Sequence, residues 1–135
     1  MKAEDIVEKM LSNDAFSKWL GIEVVKIEPG YCELKMNTRV DMLNGFGILH
    51  GGIAYSLADS ALAFAANSLG RQSLSIETSI SHIVKVRENE NLYATAEPIV
   101  TSDKFSHYQV KVKNSDSEIV ATFKGTVYNL SLVWA

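Results

Sequence analysis

The run Asn44-Gly45-Phe46-Gly47-Ile48-Leu49-His50-Gly51-Gly52 decides how this chain is read, together with the stretch from Ile53 to Leu69 behind it. A polar, glycine-rich loop leads into a long apolar helical pattern. The pattern runs from Gly51 to about Leu69, and Gly70 closes it at the C-cap position. Ala54, Leu57, Ala58, Ala61, Leu62, Phe64, Ala65 and Ala66 cover most of the helix circumference. A helix apolar nearly all round is buried nearly all round. Its small side chains let a sheet approach closely, and the side that the sheet leaves open is expected to meet a second subunit. One carboxylate, Asp59, interrupts the pattern. An unpaired carboxylate is expensive to bury. Asp59 is therefore kept for chemistry, for a contact, or on a face that stays in water.

Upstream, residues 3–20 read as one helix or two short ones, with Ile6, Val7, Met10, Leu11, Phe16, Trp19 and Leu20 at helical spacing. Asn13-Asp14 breaks or caps this segment. Residues 22–39 read as a β-hairpin turning at Pro29-Gly30, and 40–50 as a loop. Downstream, Ser73 to Val86 alternates. Leu74, Ile76, Thr78, Ile80 and His82 fall on one face, and a bulge is expected near Ile83. Leu92–Thr101, Phe105–Lys113 and Glu118–Leu130 are three further strands. The order is helix, two strands, one long helix, four strands. This predicts one α+β domain over 1–135, an antiparallel sheet curled around a single helix.

The 135 residues suffice for one core, and 47% hydrophobic against 21% charged is ordinary for a globular chain. A net charge of −3 without a basic stripe argues against nucleic acid. Ser, Asp and Asn interrupt the longest apolar stretches, so no membrane span is expected. The acidic opening Met1-Lys2-Ala3-Glu4-Asp5 does not read as a signal peptide. Cys32 has no partner for an internal disulfide, which fits a reducing cytoplasm.

The stretch Asp41 to Gly52, followed by Ser56-Leu57-Ala58-Asp59, resembles the hotdog-fold acyl-CoA thioesterases of the phenylacetate-degradation type. The resemblance extends from about Asn13 to Leu130. Asn44, His50-Gly51-Gly52 and Asp59 agree in identity and spacing. It implies hydrolysis of an acyl-CoA or aryl-CoA thioester, with CoA part of the substrate and no separate cofactor. It also implies that Asp59 activates water or attacks the thioester, that the Gly51 N–H polarises its oxygen, and that Asn44 holds nucleophile or substrate. Two subunits would form each site, and dimers would pair into homotetramers. His50, Gly52, Ser60, Ser75 and Phe46 are the expected substrate-side residues. Ser75 matches a small polar residue that positions water in some relatives. Phe46 stands where close relatives often have His, which would alter the acyl pocket wall; Leu43, Leu49 and Tyr55 complete the expected pocket. Relatives often carry Arg-Pro-Gly where this chain reads Val84-Lys85-Val86-Arg87, leaving Lys85 or Arg87 to meet CoA phosphates.

The residues support this chemistry on physical grounds. Thioester hydrolysis needs a base or nucleophile and donors aimed at the developing oxyanion. Gly51 and Gly52 begin a helix, so their N–H groups are free and carry the positive end of its dipole. Asp59 lies eight residues on, about 12 Å along the axis. One water cannot touch both ends within one chain. Two-fold antiparallel packing of two such helices brings Asp59 of one subunit towards Gly51 of the other, so the spacing predicts an obligate dimer if the protein is an enzyme.

Each residue also has a plainer role open to it. Asp59 serves as a buried structural acid, Asn44 as a turn residue, His50 as a loop brace and Gly51 as a close-packing position. Ser60 and Asn67 suit a polar helix surface or an interface hydrogen bond. His82 and His107 fit strand packing or surface, and Cys32 fits the core. Histidines at 50, 82 and 107 with one Cys have no metal-ligand spacing, and no Gly-x-Ser-x-Gly elbow is present. The competing reading is a non-catalytic hotdog module that binds acyl-CoA.

Overall fold

The computed structural model describes residues 1–135. The N-terminal segment is two helices, α1 (Ala3–Ser12) and α2 (Ala15–Leu20). The break falls at Asn13-Asp14 because Asp14 caps α2, accepting the Ser17 N–H at 3.0 Å. Gly21, at φ +76°, ends α2 in a left-handed conformation that few other residues adopt. α1 turns Ala3, Ile6 and Val7 into the core.

The hairpin is β1 (Glu23–Glu28) and β2 (Tyr31–Asn37), joined at Gly30 with φ +81°. A single 3₁₀ turn, Val40–Met42, opens the loop before α3 (Gly51–Asn67). Then come β3 (Arg71–His82), β4 (Asn91–Thr101), β5 (Phe105–Lys113) and β6 (Ile119–Val133). All pairings are antiparallel, in the order β1-β2-β4-β5-β6-β3. The sheet wraps α3, which packs against β2, β3, β4, β5 and β6. In β2, β4 and β5 the alternation is read directly as burial: Cys32, Leu34 and Met36, then Leu92, Ala94 and Ala96, then Tyr108, Val110 and Val112 face α3. The alanines of β4 and α3 set the close spacing between helix and sheet.

Gly125 in β6 marks the tightest approach. A Cβ there would lie 2.6 Å from Leu62 Cδ1 and 2.9 Å from Thr78 Cγ2. Gly125→Ala is therefore expected to destabilise by about 1–3 kcal/mol through overpacking, read as a lowered Tm.

Three expectations are corrected. The long helix ends at Asn67, two residues early. The Ser68 hydroxyl donates to Ala65 O at 2.7 Å and accepts the Gly30 N–H at 2.9 Å, while the Asn67 side chain bonds Ser73 N–H and Trp134 Nε1. Asn67 Nδ2 also donates to Ala63 O at 2.8 Å, so these side chains take over terminal carbonyls, while Gly70, at φ +111°, redirects the chain with its N–H on Asn67 O at 3.0 Å. The β3 alternation does not run unbroken. The register shifts between Arg71 and Ser73 and again between Ser75 and Glu77, so Ser73 points inward and Leu74 and Ile76 are 61% and 58% exposed. A bulge adds a residue to one strand and swaps its faces. One falls at 75–77, inside the stretch read as unbroken. A second irregularity stands at the expected place, where the Ile83 and Val84 N–H groups both donate to Val120 O, at 2.8 and 3.2 Å. Finally, β6 continues to Val133, with Val133 paired to Arg71, so the apolar tail is strand.

Candidate active site

The loop before α3 is held by its own polar groups. Asn44 Oδ1 accepts the N–H groups of Phe46 at 2.9 Å and Ile48 at 3.4 Å, and Asn44 N–H donates to Ile48 O at 2.8 Å. Gly47 takes φ +75° at the turn. Leu49 N–H donates to Val86 O at 2.7 Å, which clamps the loop onto the segment after β3, and His50 N–H donates to Met42 O at 2.9 Å, which closes the loop on its own 3₁₀ turn. The plain turn role thus accounts for Asn44 Oδ1. Its Nδ2 donates to no group of the chain, and Asn44 lines a cleft.

That cleft, of about 290 Å³, is lined by Asn44, Leu49, His50, Gly51, Ala54 and His82, with the 83–86 segment and Val120-Ala121 closing it. His50 is the N-cap of α3, and its Nδ1 accepts the Gly52 N–H at 2.8 Å. The accepting Nδ1 carries no proton, so the neutral ring bears its proton on Nε2. Gly52 is consequently not a free donor. Ile53 N–H donates to His50 O at 2.9 Å. The Gly51 N–H bonds no group of the chain, which leaves it as the open donor at the positive end of α3.

Asp59 lies outside this cleft, two turns further along α3. It is half-buried and makes no hydrogen bond or ion pair within the chain; burial raises its pKa above the ordinary 3.8. It sits on the side of α3 that the sheet leaves uncovered, where Gly52, Ser56 and Ala63 share the stripe at helical spacing. A carboxylate so placed, without a partner, is a candidate base or nucleophile.

The remaining expected residues are placed differently. Ser60 Oγ is 2.8 Å from Ser17 Oγ, which donates to Asp14 Oδ2 at 2.6 Å, so Ser60 ties α3 to α2. Ser75 lies exposed at the β3 bulge, away from the cleft. Phe46 is 90% exposed at the loop tip and walls nothing within the chain, because its flanking glycines carry it outward. The Tyr55 hydroxyl is bonded to that of Thr78 and its ring meets Phe123 edge-on, so it belongs to the core. Of the expected acyl pocket only Leu49 lines the cleft. Lys85 lines it too and is exposed; Arg87 does not line it. Asn67 is structural by its bonds to Ser73 and Trp134. Cys32 is buried, its thiol pushed up to about 12, which makes it unreactive core. His107 bonds Thr126 on the sheet surface. His82, read as an ordinary strand residue, instead stands beside Gly51 in the cleft. A Cβ added to Gly51 would be 2.9 Å from its Nε2.

A six-stranded antiparallel sheet wrapped around one long helix, with a helix N-terminus opening on a cleft, is the hotdog fold. Residues 46–121 match the family described as the thioesterase superfamily. A putative esterase of Archaeoglobus fulgidus is 36% identical over 95% of this chain and 83% of its own. The acyl-coenzyme A thioesterase PaaI of Escherichia coli is 31% identical over 96% of this chain and 92% of its own. The solved structure of E. coli PaaI superimposes with a TM-score of 0.94 at 30% identity, covering 97% of this chain and 95% of that one. The chain belongs to the thioesterase superfamily.

Proposed function

We propose that this protein hydrolyses acyl-CoA or aryl-CoA thioesters at a site shared by two subunits. The observation that carries the reading is the separation on α3 of a free N–H donor at Gly51 and an unpartnered carboxylate at Asp59, about 12 Å apart. The thioester oxygen binds the Gly51 N–H of one subunit. Asp59 of a second copy, brought in by antiparallel packing of the two α3 helices, removes a proton from water or attacks the carbonyl carbon itself. The tetrahedral intermediate collapses and expels the CoA thiolate. Asn44 Nδ2 is the further donor available to substrate, and Lys85 is the cation placed for a CoA phosphate.

Two features support assembly. The small-residue stripe Gly52, Ser56, Asp59 and Ala63 is only partly buried within the chain. Edge strand β3 offers unpaired backbone beside exposed Leu74, Ile76 and Ile83. A dimer, and a tetramer built from two of them, would cover such surface. The likeness to a PaaI thioesterase favours phenylacetyl-CoA and related aryl-acetyl esters as first substrates, medium-chain acyl groups next, in the cytoplasm where CoA esters are handled.

The test is free-thiol release from a panel of aryl- and acyl-CoA esters. Turnover of one or more is expected. Tight binding of CoA esters without release of thiol from any of them would instead make the protein an acyl-CoA-binding module.

A further inference from the structure

Oxyanion stabilisation is strongest when two donors converge on the oxygen, and the helix N-terminus provides only one. Gly52 N–H is held by His50 Nδ1, and Ile53 N–H is turned back to His50 O. Gly51 N–H stands alone. The three atoms nearest to a Cβ built on Gly51 all belong to the His82 ring: Nε2 at 2.9 Å, Cε1 at 3.3 Å and Cδ2 at 3.7 Å. A side chain at position 51 would have to displace this imidazole. Across the tetrahedral α-carbon, N and Cβ are about 2.5 Å apart. Gly51 N and His82 Nε2 are therefore at most about 5.4 Å apart. An oxygen about 2.9 Å from each of two donors fits any separation up to about 5.8 Å. His82 makes no hydrogen bond within the chain, and its ring lines the same cleft.

We propose that His82 is the second oxyanion donor, its Nε2–H and the Gly51 N–H together holding the thioester oxygen. The proposal rests on the thioesterase reading. Water oxygen bonds to the carbonyl carbon as Asp59 of the second copy takes its proton. The carbonyl π pair moves to oxygen, between the two donors. The pair then returns, the C–S bond breaks, and the thiolate leaves with that bond's electrons. His82 exchanges no proton in either step. Asn44 Nδ2 is the rival donor in the cleft, and the two are separable by substitution.

The experiment measures kcat and KM for wild type, His82→Phe, His82→Gln and Asn44→Asp on the fastest ester of the panel. Asn44→Asp keeps the Oδ1 that braces the loop while removing the donor. Infrared spectra then record the carbonyl stretch of the same ester, 13C-labelled at its carbonyl and bound in the Asp59→Asn background. His82→Phe is expected to lower kcat about 10²–10³-fold with KM changed only a few-fold. His82→Gln, which keeps a donor, should regain about tenfold or more. The carbonyl stretch should rise when His82 is replaced by Phe. His82 lies exposed at the end of β3, and His82→Leu repeats the series if the ring of Phe disturbs it. A kcat unchanged in both His82→Phe and His82→Leu, a change confined to KM, or a stretch that moves only with Asn44→Asp would overturn the assignment. No release by wild type from any ester would overturn the thioesterase reading itself, which is a different result from an indifferent His82.

Discussion

Asp59→Asn is expected to lower kcat by about 10²–10⁴-fold, the usual worth of a positioned general base, or to abolish turnover if Asp59 attacks directly. The substitution is nearly isosteric, and the carboxylate makes no hydrogen bond that the amide would break. Loss of activity should therefore come without loss of fold. The pH dependence follows from burial, which holds the carboxyl above 3.8. Activity needs the ionised form, so kcat/KM should fall with acid at a pH above the ordinary carboxylate range. The stability effect has the opposite direction. The folded chain keeps the Asp59 proton over a pH range in which the unfolded chain has lost it. This contribution is fully present below 3.8 and is lost as pH rises through the folded pKa. At neutral pH the half-dry carboxylate costs stability, and Asp59→Asn should raise Tm there and change it less in mild acid. A lower Tm at neutral pH, with activity retained, would show a structural acid.

Two inactive variants are expected to restore each other. Gly51→Val fills the space held by the His82 ring and covers the free N–H. Asp59→Asn removes the carboxylate. If each site takes Gly51 from one subunit and Asp59 from the other, a mixed dimer contains one doubly defective site and one intact site. Random mixing makes half the dimers mixed, so co-refolded variants should recover about a quarter of wild-type activity. A site contained in one chain predicts no recovery. Gly51→Ala offers a milder block if the valine disturbs the start of α3. The same geometry requires activity per subunit to fall on dilution below the dimer dissociation constant.

How much of this was legible in the sequence depends on the range of the forces involved. The break at Asn13-Asp14, the turn at Gly30, the N-cap at His50 and the alternation of β2, β4 and β5 all follow from contacts a few residues apart. The β3 faces were not legible, because a bulge depends on what the partner strand β6 presents. Ser60 and Tyr55 looked available for substrate. Ser17 and Thr78 claim their hydroxyls instead, from 43 and 23 residues away. His82 carried a partial signal, since alternation put it on one face with Thr78 and Ile80; nothing local connected it to Gly51, 31 positions earlier. The loop motif was legible by its spacing. That spacing also showed that Gly51 and Asp59 are too far apart to serve one water within one chain.

The sequence by itself determined the elements, the helix within an antiparallel sheet and the identities of the donor and the carboxylate. Periodicity, capping and helical rise are local and written into neighbouring residues. The tertiary structure decided what stands at the donor that the local cap leaves open: it set the His82 ring against Gly51. A local cap is written into neighbouring residues, whereas the group that meets an open donor comes from a distant segment, and only the packing of the two brings them together.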